Sequence, residues 1–139
     1  VVDGGAGSDT LVIAATSAPL TIDFSDASDN LAAESGSYRN FENLDAAAAT
    51  DALTVTTSAA GGTVVTGSGD DQVTLGAAAD DIATGAGDDT VVVDATTIAA
   101  SIDGGANTAT GDTLLVTGGG QVVMGASVAG MEHVSLASA

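Results

Sequence analysis

Three aspartates, Asp71, Asp80 and Asp89, recur nine residues apart, each four positions behind a glycine, Gly67, Gly76 or Gly85. Carboxylates at a fixed interval in glycine-rich turns suit the binding of a hard divalent cation. Calcium takes about six to eight oxygen ligands, and such turns can offer backbone carbonyls beside the carboxylate. In a coil of two nonads, residues 18 apart lie on top of one another, which stacks Asp71 on Asp89. At the strand spacing of roughly 4.8 Å these carboxylates repel unless a cation lies between them. The plainer reading makes them solvated residues of Asx turns. Asp80 stands in a row that reads Gly62, Asp80, Ile98. Without a stacked partner its edge is expected to be metal-poor and closed by the packing of Ala77, Ala78 and Ala79. Asp70 and Asp88 are expected to face solvent, and Asp81 to be exposed.

Positioning these aspartates requires short strands between tight turns. Val73, Ile82 and Val91 each follow an aspartate by two residues, and Val64 and Val55 fall in the same frame, so five successive nonads keep one apolar residue in phase. An x-Val-x triplet turns one side chain inward and two outward. Glycine supplies the positive φ angles and close backbone approach of the turns. A chain that alternates the two coils.

This pattern resembles the nonapeptide repeat of RTX proteins, G-G-x-G-x-D-x-U-x with U a large apolar residue. The run from Gly4 to Val12 fits all nine positions; the copies containing Asp71 and Asp89 have Thr66 and Thr84 in place of the first glycine; the middle copy has Leu75 and Ala78 where the first and third glycines belong. The resemblance covers residues 2 to 13 and 53 to 93, and 102 to 116 in a broken form. It implies an all-β, right-handed parallel β-solenoid, or β-roll, that binds Ca2+ in its turns. It further implies that the sixth-position residues Asp9, Asp71 and Asp89 are side-chain ligands, with carbonyls from Gly67, Gly69, Gly85 and Gly87. Asp80 and Asp112 hold the same sixth position, the latter after an insertion. Secretion from a bacterium by a type I pathway, with a signal at the extreme carboxyl end, is also implied.

The composition fits a slim coil. The 139 residues include two Phe, one Tyr and no Trp, so an interior must be filled by Val, Leu, Ile, Ala and Thr in thin layers. Nineteen acids against the single base Arg39 give a net charge of -18. That charge excludes nucleic acid as a natural partner and destabilises a compact state unless cations neutralise it. Disorder is the competing reading, but 45% hydrophobic content and a mean hydropathy of +0.37 lie outside the usual disordered class. With no Cys, disulfides and thiolate zinc sites are not available. No run reaches the length of a transmembrane helix, so no membrane insertion is expected. The first residues lack a basic signal-peptide start, and Val1 in place of Met suggests a processed or excised piece.

Along the chain, residues 1–52 read as less regular rungs, 53–93 as the nonapeptide coil, and 94–139 as irregular rungs that begin a second copy of one module. Phe41 and Leu44 are expected inside, Asp45 to Asp51 could form a helical turn, and a longer rung runs through Ile98 and Ile102. Asp3-Gly4-Gly5 through Val12 matches Asp103-Gly104-Gly105 through Leu115, and Phe41-Glu42-Asn43-Leu44 is echoed by Met131-Glu132-His133-Val134. The period is close to 100 residues, as in a tandem array, with chance similarity the alternative. His133, the one histidine, has no nucleophile motif to serve, and few aromatics are present to bind a sugar beside a carboxylate pair. No enzyme is expected. The function read is a calcium-binding structural module of a secreted bacterial surface protein: an adhesin stalk, an S-layer unit or an extracellular filament. The alternative is the calcium-dependent folding and secretion domain of a type I-secreted hydrolase or toxin. Open strand edges at the ends of a solenoid also predict that copies associate end to end.

Overall fold

The fold is seen in a computed structural model that describes residues 1–31, 34–76, 79–94, 101–118 and 127–137. Fourteen short strands and no helix make up the described residues. They are β1 (Val2–Asp3), β2 (Thr10–Val12), β3 (Leu20–Asp23), β4 (Tyr38–Arg39), β5 (Asn43–Asp45), β6 (Leu53–Thr56), β7 (Thr63–Val65), β8 (Gln72–Thr74), β9 (Asp81–Ala83), β10 (Thr90–Asp94), β11 (Ser101–Asp103), β12 (Thr113–Thr117), β13 (Val128–Ala129) and β14 (His133–Leu136).

Two six-stranded sheets form, in the orders β14-β12-β10-β8-β6-β3 and β13-β11-β9-β7-β5-β2, and β1 pairs β4 separately. From β5 onward, consecutive strands alternate between the two large sheets, and every pairing is parallel. The chain therefore winds as a two-sheet parallel solenoid, as the nine-residue frame requires.

Aligned inward side chains, one or two per strand, fill the interior. Val55 sits opposite Val73, Val73 opposite Val91, and Val91 opposite Leu114; across the core, Leu44, Val64, Ile82 and Ile102 stack in the same way. All eight are at most 3% exposed, and burial of each such side chain contributes roughly 1.5–3 kcal/mol. Three-residue strands have little stability alone, so each rung depends on its neighbours.

The frame drifts outside the central coils. Stacked turns are 18 residues apart at Asp71 and Asp89, 20 at Asp112 and Glu132, 23 at Asp89 and Asp112, and 33 at Asp9 and Glu42. The extra residues are absorbed in turns while inward side chains stay aligned. Phe41 and Leu44 are buried as expected. Residues 45–51, by contrast, form no helical turn: the chain must cross from β5 to β6, and it does so in a tight turn in which Ala49 N–H donates to the Ala46 carbonyl over 2.9 Å. The irregular stretch after β3 is organised by Asn30, 2% exposed, whose side chain donates to the Asp23 and Asp26 carbonyls and accepts from Phe41 N–H. Ala77, Ala78 and Ile98 lie outside the described residues.

Candidate metal centre

A column of carboxylates runs up one edge of the solenoid, where turns lead from the β9 sheet into the β10 sheet. Asp71 Oδ1 accepts Leu53 N–H at 2.7 Å, Asp89 Oδ1 accepts Asp71 N–H at 2.7 Å, Asp112 Oδ1 accepts Asp89 N–H at 2.7 Å, and Glu132 Oε2 accepts Asp112 N–H at 2.9 Å. Each acid thus reaches down to the backbone of the corresponding residue in the coil before it. Asp71, Asp89 and Asp112 are 2%, 1% and 0% exposed. Their other oxygens, all Oδ2, are buried with no hydrogen-bond partner.

Unpartnered oxygens on buried carboxylates are costly, and the cost shows in the acidities. Burial pushes Asp89 up to about 6, with the Asp71 and Asp112 charges adding to it and the Asp71 N–H working against it. Burial also raises Asp71 and Asp112; the Leu53 N–H opposes it at Asp71, and the Glu132, Asp88 and Asp103 charges reinforce it at Asp112.

Threonines knit these turns together. Thr66 Oγ1 donates to the Thr84 carbonyl at 2.6 Å and Thr84 Oγ1 to the Gly104 carbonyl at 3.0 Å. Thr66 and Thr84 stand where the motif has its first glycine, and their hydroxyls join one turn to the next. The Gly67 and Gly85 carbonyls accept N–H bonds from Ala86 and Ala106. A carbonyl has two lone pairs, so one remains on each. No hydrogen bond to the Gly69 or Gly87 carbonyl is seen among the described residues.

Asp9 and Asp80 belong to the opposite edge, so the aspartates sharing the sixth motif position are divided between two edges. In the row there, Asp9, Glu42, Gly62 and Asp80 each precede a paired strand residue. Asp80 is 1% exposed; its Oδ2 accepts the Thr57 hydroxyl at 2.9 Å, its Oδ1 has no partner, and burial raises its pKa. Gly62 lies below it as expected, but the register above Asp81 falls on Ser101, two residues beyond the 18-residue interval that would have stacked Ile98.

Asp88 is not an idle surface residue. Its carboxylate accepts the N–H groups of Thr108, Ala109, Thr110 and Gly111 and the Thr110 hydroxyl, at 2.9 to 3.2 Å. The N–H bonds of Ala109 and Thr110 lead in holding it far below the usual carboxylate range. These bonds fold the inserted loop back onto the solenoid, which returns Asp112 to its place over Asp89. Asp88→Ala should therefore speed amide exchange at 108–111 about tenfold or more, read by hydrogen exchange. Asp70→Ala, which removes only the bond from Asp88 N–H, should leave that loop protected.

The atoms present suit calcium. Carboxylate, carbonyl and hydroxyl oxygens are the donors, and orphaned carboxylate oxygens are buried among them. No group of three or more Asp, Glu, His or Cys gathers among the described residues. A cation here would therefore be held by Asp71, Asp89 or Asp112 together with backbone carbonyls. Asp89→Ala should weaken calcium binding at least about tenfold, because it removes the central carboxylate; in chelator the same change should be neutral or stabilising, because it deletes a costly buried charge. Asp81→Ala, at an exposed position, should alter neither, as judged by calorimetric titration and melting of both variants. Compared with known proteins, the chain matches no family model, no curated protein and no solved structure, so the properties of this centre follow from its own atoms.

Proposed function

We propose that this chain is a calcium-binding structural module of a secreted bacterial surface protein, of the kind that builds a stalk, a lattice or a filament. The observation that carries the reading is the set of buried carboxylate oxygens without partners at Asp71, Asp89 and Asp112. Arg39 is the only Lys or Arg, and it is paired with Asp3 at 2.9 Å on the surface, while the one histidine, His133, is exposed and turns its Nε2 to the Thr110 carbonyl. A cation from solution is the remaining source of positive charge. A structural role is supported by the stacked, repeating rungs.

Calcium titrated into the intact chain at neutral pH should bind with at least two equivalents and dissociation constants of about 10⁻⁴ to 10⁻³ M. Magnesium, which demands a tighter octahedron and sheds water reluctantly, should compete poorly. Absence of binding heat at millimolar calcium would refute the proposal.

A further inference from the structure

The same constellation of atoms occurs twice in the chain, once on each edge. Asp9 N–H donates to Glu42 Oε2 at 2.9 Å, while the Glu42 and Asn43 N–H groups return bonds to the Asp9 carbonyl at 3.2 and 3.0 Å. Asp112 N–H donates to Glu132 Oε2 at 2.9 Å, while the Glu132 and His133 N–H groups return bonds to the Asp112 carbonyl at 3.1 and 3.0 Å. The match extends around both sites. Asn40 and Gly130 take positive φ angles of 57° and 67°. Their carbonyls press on Gly4 and Gly104, each of which would overlap its neighbour if it had a Cβ. Gly5 and Gly105 N–H bind the Asp3 and Asp103 carboxylates, each at 3.1 Å. Asn43 reaches the Ser8 hydroxyl, and His133 Nε2 donates to the Thr110 carbonyl at the same corner of the second copy.

In both copies the aspartate keeps a buried Oδ2 with no partner, and Asp112 is 0% exposed. Glutamate takes the place that the next aspartate occupies in the central coils. Its longer side chain spans the same gap from a turn of different length: the two interacting residues are 33 apart in the first copy and 20 in the second.

We propose that Asp9 with Glu42, and Asp112 with Glu132, form two copies of one calcium site in which a glutamate closes the carboxylate column. The sites lie on opposite edges because the first motif leads into β2 and the second into β12, which belong to different sheets. The long repeat therefore advances by a half-integral number of coils. The inference rests on the calcium reading above and adds Glu42 and Glu132 as ligands.

The test uses the whole chain and its Glu42→Gln, Glu132→Gln and doubly substituted variants, titrated with calcium chloride. Glutamine keeps an oxygen to accept the Asp9 or Asp112 N–H, so circular dichroism in excess calcium should match that of the unsubstituted chain. Each single variant should lose one calcium equivalent, or bind it at least tenfold more weakly, and the double variant should lose two. Terbium adds an independent reading: Tyr38, the only tyrosine, lies in β4, the strand that leads into the turn carrying Glu42. Its sensitised terbium emission should fall in Glu42→Gln and persist in Glu132→Gln, even if the latter loosens the last coil. Unchanged stoichiometry, affinity and emission in the variants, while Asp89→Ala loses calcium, would overturn this site and leave the calcium reading standing. An unsubstituted chain that binds no calcium would overturn both.

Discussion

Moved from about 10 mM calcium into excess chelator at pH 7, the chain should lose its β-sheet signal or melt at a much lower temperature. At tenfold excess over its dissociation constant, each ion adds roughly 1.4 kcal/mol. Three ions on the Asp71, Asp89 and Asp112 column would supply about 4 kcal/mol, a large share of the ~5–15 kcal/mol that holds an ordinary domain together. Acid should rescue the metal-free chain. Asp89 is raised from 3.8 to about 6 in the folded state, and Asp71, Asp80 and Asp112 are raised as well. A carboxyl raised on folding stabilises fully below its unfolded value and loses that contribution as pH rises through its folded value. For Asp89 the difference is on the order of 3 kcal/mol. In chelator, stability should therefore climb as pH falls from 7 towards about 4, the reverse of ordinary acid denaturation. Asp88 and Glu132 act in the other sense: their values are lowered, so they hold their contribution above the unfolded value and lose it as pH falls further. Melting curves at pH 4.5 and 7, with and without calcium, decide the matter; identical curves in chelator would mean that the buried column carries no uncompensated charge.

The second large effect concerns how closely the turns lie. Gly85 has φ +89°, and a Cβ there would overlap the Gly67 carbonyl oxygen, whose backbone cannot move without breaking its bond from Ala86 N–H. Gly85→Ala combines strain with a backbone collision and should cost at least about 2 kcal/mol. Gly5, with φ +99°, has nothing within 4 Å of its would-be Cβ. There alanine should cost only the strain, about 1 kcal/mol. Denaturant melts of the two variants in calcium give the comparison, and equal losses would show that the turns do not press on one another.

Much of this was legible because strand and turn periods were written in single residues. The apolar position at Val55, Val64, Val73, Ile82 and Val91 is inward in every case, and Asp71 and Asp89 share one column. What the spacing concealed came from turns of unequal length. Asp9 fits the same motif as Asp89 yet lies on the opposite edge, because a local motif does not record how many half-coils separate two copies. Glu42 and Glu132 hold equivalent places in the long repeat, but their bonds to Asp9 and Asp112 span 33 and 20 residues and obey no nine-residue rule. Asp88 looked solvated because its partners come from the insertion itself.

That insertion has a use for protein engineering. Between Ala106, which still bridges Ala86, and Asp112 the chain leaves the solenoid and returns, so that Asp112 stacks 23 residues after Asp89, yet Leu114 still seats opposite Val91. Added length changes the outline of the edge and leaves the rungs beneath undisturbed, with Asp88 acting as a clip on the returning N–H groups. A foreign peptide grafted between Ala106 and Thr108 would be displayed at a fixed height on a ruler graduated every ~4.8 Å.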